Sequence, residues 1–257
     1  MKNFRYIGIT AIMLFSFFYT DKIANLTLEK NKLYQNILEN KEEYNVSSVS
    51  ATIHDEYITP GLNGKDVNVK GSYYNMKNLD IFNSYYLIYD EITPEVSLEN
   101  NKDKIINRGN SSKNSVAFIL EYNEDMINFF KENGYDASIL VDINTFKKSE
   151  SLEQINNEVN NFNNLESLLN KYSSNPNICY LNKNEDVCRK SKKYLVKTDK
   201  ILNKGTLYDI KNSITSGDIY YVEKNMDKKS MQILINSIMY KDLDIVRLSK
   251  LISEERD

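Results

Sequence analysis

Val116-Ala117-Phe118-Ile119-Leu120-Glu121-Tyr122-Asn123 is the stretch on which the fold turns. Ser115 to Leu120 is a buried-strand run whose VAFIL part, Val116 to Leu120, is apolar without alternation, and the first charge is Glu121. Such a run predicts a strand covered on both faces. Asp125 to Asn133 then reads as a helix, with Met126, Ile127, Phe129 and Phe130 on its apolar side and Gly134 as its stop. Ala137-Ser138-Ile139-Leu140-Val141 follows as a second strand. Strand, helix and strand with joints this short make a βαβ unit, so the two strands should be parallel and the crossover right-handed.

Downstream, Leu152 to Tyr172 is predicted mostly helical, although Asn160-Asn161 and Asn163-Asn164 weaken its middle. Short strands are expected at Ile178–Leu181, Tyr194–Val196 and, after the Ser216-Gly217 turn, Asp218–Val222. Helix Lys229–Tyr240, strand Asp244–Arg247 and helix Ser249–Glu255 close the chain. Strands alternating with helices predict a parallel α/β domain over residues 113–257. Upstream, residues 46–112 read as a small α+β lead-in module. It has a strand at Val49–Ile53, a dense turn at Thr59–Gly64, a helix at Lys70–Leu79 and a strand at Tyr85–Tyr89.

At the other end, Lys2 and Arg5 precede the uncharged run Tyr6 to Thr20, and charge returns at Asp21 and Lys22. A basic start before an apolar core has the pattern of an export signal. The exit offers large aromatics where a cleavage site wants small residues, so residues 1–22 are expected to be an uncleaved membrane anchor. This would make a single-pass protein of the cell membrane with its bulk outside the cytoplasm. Residues 23–45 are expected to be a helical stalk, with Ile23, Leu26, Leu33 and Ile37 at a/d-like spacing as an oligomerisation seam.

Composition removes several classes of function. Of 257 residues, 41% are hydrophobic and 27% charged, too apolar for a wholly disordered chain. A net charge of −3 gives no electrostatic reason for a nucleic-acid partner. A single histidine, His54, excludes any multi-histidine metal site. Cys179 and Cys188, nine positions apart, are either a small-loop disulfide, as suits an exported domain, or inert thiols.

The strand around Val116 resembles the opening strand of the polysaccharide deacetylase (NodB homology) family, written roughly V-A-L-T-F-D-D-G. Asn133 to Val141 is similar to that family's N-V-K-A-T-F-F-V passage, Ser216 to Glu223 to its G-S-I-I-L-L-H strand, and Tyr240 to Ile252 to its closing segment. The likeness covers residues 113–254. It implies a distorted, incomplete (β/α) barrel. It also implies a chemistry in which one Asp is the general base while a second Asp and two His hold a divalent metal that activates water.

Carried over residue by residue, the base position falls on Glu121 and the metal Asp on Tyr122, a phenol that cannot replace a carboxylate ligand at ordinary pH. Phe162 stands where a ligating His would be, in Asn157-Glu158-Val159-Asn160-Asn161-Phe162, and the late catalytic His aligns with Glu223. The Arg-Pro-Pro-Tyr-Gly segment has no counterpart, and Asn175-Pro176-Asn177 is not one. The resemblance therefore implies a degenerate member with no metal and no cofactor, acting in envelope glycan binding or scaffolding. Its alternative is a glycan hydrolase or deacetylase that uses Glu121 and Glu223 as a carboxylate pair. Candidate ligand-contacting residues are Tyr122, Asn161 and Tyr221, with cell-wall glycan as the candidate partner. Against these, most rim carboxylates are simply solvated, and one of each adjacent strand tyrosine pair belongs to the core.

Overall fold

The computed structural model describes residues 2–172 and 176–256 and, in the first helix, leaves out the side chains of residues 2–9, 11, 21, 24 and 25. Lys2, Arg5 and Asp21, the charges expected to flank the anchor, are among those side chains, and Asn175 is outside the described residues. The chain opens with α1 (Lys2–Glu29) and α2 (Lys32–Tyr44), then β1 (Thr52–His54) and β2 (Tyr57–Thr59). Next come β3 (Gly64–Val67), α3 (Val69–Met76), β4 (Tyr89–Ile92) and β5 (Ile105–Ile106). The βαβ segment is β6 (Ser115–Glu121), α4 (Glu124–Glu132) and β7 (Ser138–Val141), followed by β8 (Glu153–Asn156) and α5 (Phe162–Tyr172). The rest is β9 (Ile178–Tyr180), α6 (Glu185–Lys190), β10 (Tyr194–Val196), β11 (Ile201–Leu202), α7 (Leu207–Asn212), β12 (Ile219–Val222), α8 (Lys228–Met239), β13 (Asp244–Val246) and α9 (Leu248–Ile252).

Two compact units result, Met1–Ser47 with Gly64–Ile92, and Ser48–Asn63 with Thr93–Asp257. In the smaller unit, α2 starts where the Asn31 side-chain oxygen accepts hydrogen bonds from the Leu33 and Tyr34 backbone N–H groups, which satisfies donors that a helix start leaves orphaned. Leu33 and Ile37 are buried with Val67 and Met76. Half of the expected stalk seam is thus internal to this unit, whereas Ile23 and Leu26 are exposed. The apolar side chains of α1 from Ile12 to Tyr19 are exposed too. Among the described residues no helix is long and apolar enough to cross a membrane.

The larger unit is a mixed α/β structure with two mostly parallel sheets. One runs β1-β2-β5-β10-β9 and the other β11-β12-β6-β7-β8, with β13 also paired to β6. The predicted βαβ unit is present: β6 and β7 are parallel, with Ile119 opposite Ser138. Strand periodicity of two divides the side chains of β6. Phe118 and Leu120 pack with Met126, Phe130 and Tyr220 on one face; Ala117 and Ile119 pack on the other with Leu140, Ile155, Ile178, Val196 and Ile219. That second face is an inner core between the sheets, and α9 supplies Leu248, Leu251 and Ile252 to it. Gly217, at φ +87°, turns the chain into β12, and a side chain there would meet the Gly109 backbone.

Three expectations change. The helix expected over Leu152–Tyr172 is β8, a loop and then α5. Glu153-Gln154-Ile155-Asn156 has one strong β former, but its polar side chains are buried and partnered: Glu153 with Ser138, Gln154 with the Lys147 backbone, and Asn156 with Glu166. The strand expected at Tyr85–Tyr89 is a 3₁₀ turn, Ser84–Tyr86, with β4 beginning at Tyr89. The strand expected at Val49–Ile53 lies later, at Thr52–His54.

Candidate functional site

β6 and β12 lie side by side and parallel, pairing Ile119 with Tyr221 and Leu120 with Val222. One residue further, Glu121 and Glu223 leave the carboxyl ends of the two strands, the side of a parallel sheet where ligands usually meet an α/β fold. The exposed Glu121 is held by its neighbour strand, since its Oε2 accepts from the Lys224 backbone N–H at 2.9 Å. Glu223 Oε2 accepts from the Asn225 side-chain amide at 3.5 Å. Tyr221, two residues before Glu223 on β12, feels both charges: its hydroxyl is pushed up to about 12 by burial first and then by the negative charges of Glu121 and Glu223. The two glutamates therefore leave adjacent strands near the same tyrosine.

The rest of that neighbourhood is aromatic. Tyr180, the last residue of β9, stacks on Tyr221 with ring centroids 5.3 Å apart and planes 8° from parallel. Tyr180 is buried, and its hydroxyl lies above the ordinary tyrosine value, first through burial and then through Tyr221 and Asp199. Two stacked rings thus bridge the two sheets beside the rim carboxylates. Sequence reasoning placed Tyr180 in a strand but did not single it out. Its signal was available, since Ile178 and Tyr180 must share the inner face by strand alternation.

The remaining predicted residues do not converge on this point. Tyr122 follows Glu121 and takes the opposite face, packing against the α4-side core. Its hydroxyl donates to Glu124 at 3.1 Å, and the Lys147 ammonium lies 5.8 Å from its ring centroid. The same Lys147, and secondarily the Tyr122 hydroxyl, hold the Glu124 carboxyl below its usual value. Phe162 is buried with Ile105, Cys179, Leu181, Cys188 and Leu195, on the outer side of β9 and β10. Asn161 is exposed on the loop beyond β8, its carbonyl accepting from Asn164 and Leu165. Cys179 and Cys188 are joined as a disulfide, with Cα atoms 5.5 Å apart, tying β9 to α6. His54 is exposed in the β1–β2 hairpin.

This donor set does not fit the divalent metal that the family's chemistry requires. The rim offers two carboxylates without an imidazole, Tyr122 points to the other face, and the equivalent of a histidine ligand is a core phenylalanine. Among the described residues no group of three or more His, Cys, Asp or Glu side chains is placed to hold a metal ion. What the rim can do is accept hydrogen bonds through two carboxylates and present the edge of a tyrosine pair.

No family model matches the chain. Over 136 residues it is 31% identical to the uncharacterized protein YlxY of Bacillus subtilis strain 168. That match takes in 50% of this chain and 43% of the relative, so the chain spans less than half of that relative's length. Among solved structures it is similar to BA3943, a CE4 family pseudoenzyme from Bacillus anthracis, with a TM-score of 0.59 and 16% identity over 89% of this chain and 97% of that one. A BA3943 mutant with restored enzymatic activity gives a TM-score of 0.57 and 17% identity over 87% of this chain and 99% of that one. With these folds matched along nearly their whole length, and with the metal-holding positions diverted as described, the chain has the CE4 (polysaccharide deacetylase) fold and resembles a degenerate, deacetylase-like member of that family.

Proposed function

We propose that this is a membrane-anchored, extracytoplasmic deacetylase-like protein without deacetylase activity, acting as a scaffold or glycan-contacting module at the cell envelope. The observation that carries this reading is the Tyr180–Tyr221 stack between the sheets, beside a rim from which Tyr122 and Phe162 are turned away. The two sheets are read as the halves of an incomplete (β/α) barrel whose carboxyl end is closed by aromatic packing. Glycan contact would then use the exposed rim, Glu121 and Glu223 as hydrogen-bond acceptors, rather than a deep cleft. The exposed apolar stretch from Ile12 to Tyr19 supports the anchor. Self-association through the stalk would have to use Ile23 and Leu26, because Leu33 and Ile37 are already buried.

Acetate release from acetylated chitooligosaccharide and peptidoglycan, with and without added zinc, tests the central claim. No release above background is expected in either condition; zinc-dependent release would overturn it. A second reading is a metal-free glycan hydrolase, favoured by Glu121 and Glu223 leaving adjacent strands near Tyr221. It requires that Glu121→Gln abolish any hydrolysis found, and unchanged hydrolysis would reject it. Membrane fractionation of the full chain and of a form lacking residues 1–22 tests the anchor.

A further inference from the structure

Among the described residues outside α1, the densest run of exposed large apolar side chains lies in the smaller unit. Tyr74, Leu79, Ile81, Tyr85, Tyr86 and Ile88 are all exposed, Tyr85 at 94% and Ile81 at 71%. These side chains stand on a fixed backbone. The Asn83 side-chain oxygen accepts from the Tyr85 N–H at 3.0 Å and starts the 3₁₀ turn, and the Asn75 side-chain amide donates to the Tyr86 carbonyl at 2.9 Å. The hydroxyl of the buried Ser72 accepts from the Ile88 N–H at 2.8 Å. The exposure is therefore built into the fold, and an apolar patch of this kind marks a surface that meets something other than water.

A chain of contacts leads from this patch to the end of α1. The Tyr73 ring meets Tyr34 edge-on at 6.0 Å between centroids and Tyr74 at 5.5 Å, and the Lys77 ammonium lies 5.3 Å from the Tyr74 ring centroid. Tyr34 is in the first turn of α2, and the neighbouring Gln35 side chain donates to the carbonyl of Glu29, the last residue of α1. Nine helical residues, about 14 Å, separate Glu29 from Thr20, where the apolar stretch of α1 ends. On that interval Ile23 and Leu26 are exposed as well. Composition then names the occupant. A tyrosine has an apolar ring and a polar tip, which suits the headgroup level of a bilayer. Residues 70–92 hold Asp80, Asp90 and Glu91 against Lys70 and Lys77, so attraction to anionic headgroups is not the basis. The same excess of acids works against pairing of this stretch with its own copy.

We propose that the smaller unit docks on the surface of the bilayer that holds α1, with Tyr74, Ile81 and Tyr85 seated at headgroup level. This inference rests on the anchor reading and extends it, since attachment then uses a helix and a folded module together.

Neither natural cysteine is free, so a Tyr85→Cys chain takes a single nitrobenzoxadiazole label. The labelled full chain is reconstituted into phosphatidylcholine nanodiscs, both faces of which reach solvent. Co-elution with the discs scores the anchor, and fluorescence scores the docking. The label should lose most of its intensity to a spin label carried on the lipid headgroup and should be protected from iodide in the water. Ile81→Cys repeats the measurement at a second exposed position, should the first variant not fold. Co-elution with a label that iodide quenches and the lipid spin label does not would overturn the inference and leave the anchor standing. Failure to co-elute would overturn both. A label shielded from both quenchers would overturn the inference too, and disulfide cross-linking between unlabelled Tyr85→Cys chains would then assign the patch to a second copy.

Discussion

In the larger unit the amino and carboxyl ends of the strands carry the same residue type in opposite roles. At the amino end of β8, Glu153 is buried; its Oε2 accepts from the Ser138 hydroxyl and, at 3.2 Å, from the Ser249 backbone N–H. Ser138 Oγ in turn accepts from the Leu248 backbone N–H at 2.9 Å, so one carboxylate and one hydroxyl fix the start of α9 across the core. At the carboxyl end of β6, Glu121 is exposed and accepts one backbone N–H. A buried carboxylate that accepts from a hydroxyl and a backbone amide is part of the framework, while an exposed one contributes little to it. The amino end is a partnered framework, whereas the carboxyl end carries exposed carboxylates beside the Tyr180–Tyr221 stack.

The comparison can be broken most severely at Glu153. Glu153→Ala leaves a buried hydroxyl and an amide without their acceptor, and chemical denaturation should show a loss of about 3 kcal/mol. Next in size is the disulfide on the outer face of β9. Its nine-residue separation corresponds to about 2.5 kcal/mol in the loop-entropy model, so chemical denaturation of the Cys179→Ala, Cys188→Ala double variant should show a loss of about that size, matched by reduction of the wild type.

A smaller effect separates the tyrosines. Tyr221 at the rim and Tyr194 at the amino end both ionise at about 12 in the folded state, against 10.0 for the ordinary side chain. Below pH 10 both states are protonated. Between pH 10 and 12 the unfolded state ionises first and is favoured, so stability falls as pH rises through that window. Tyr221→Phe and Tyr194→Phe should each remove part of this alkaline loss, read as melting temperature against pH; an unchanged slope in both would contradict the burial assigned to them. The smallest effect belongs to Glu121→Ala, expected within about 0.5 kcal/mol of the parent, as for other exposed positions. A loss comparable to that of Glu153→Ala would show that the rim carboxylate is structural.

Much of the larger unit was legible because its pattern is local. The apolar run at Val116–Leu120, the Phe129-Phe130 face of α4 and the Gly134 stop dictate a parallel pair without reference to anything distant. β8 was not legible, since Glu153, Gln154 and Asn156 look solvent-facing until Ser138, Lys147 and Glu166, which lie outside the strand, arrive as partners. The two-residue strands β5 and β11 carry no periodicity of their own and exist through pairing with β10 and β12.

The mismatch with the family's metal motif was readable from residue identity alone: Tyr122, Phe162 and Glu223 stand where the resemblance asks for a carboxylate and imidazoles. What only the tertiary structure decided is what stands in the site instead. Tyr180 and Tyr221 lie forty-one positions apart, and each is an ordinary strand tyrosine until two separate sheets bring their rings face to face. Side-chain type is a property of the chain, but contact between distant residues is set by how the sheets pack.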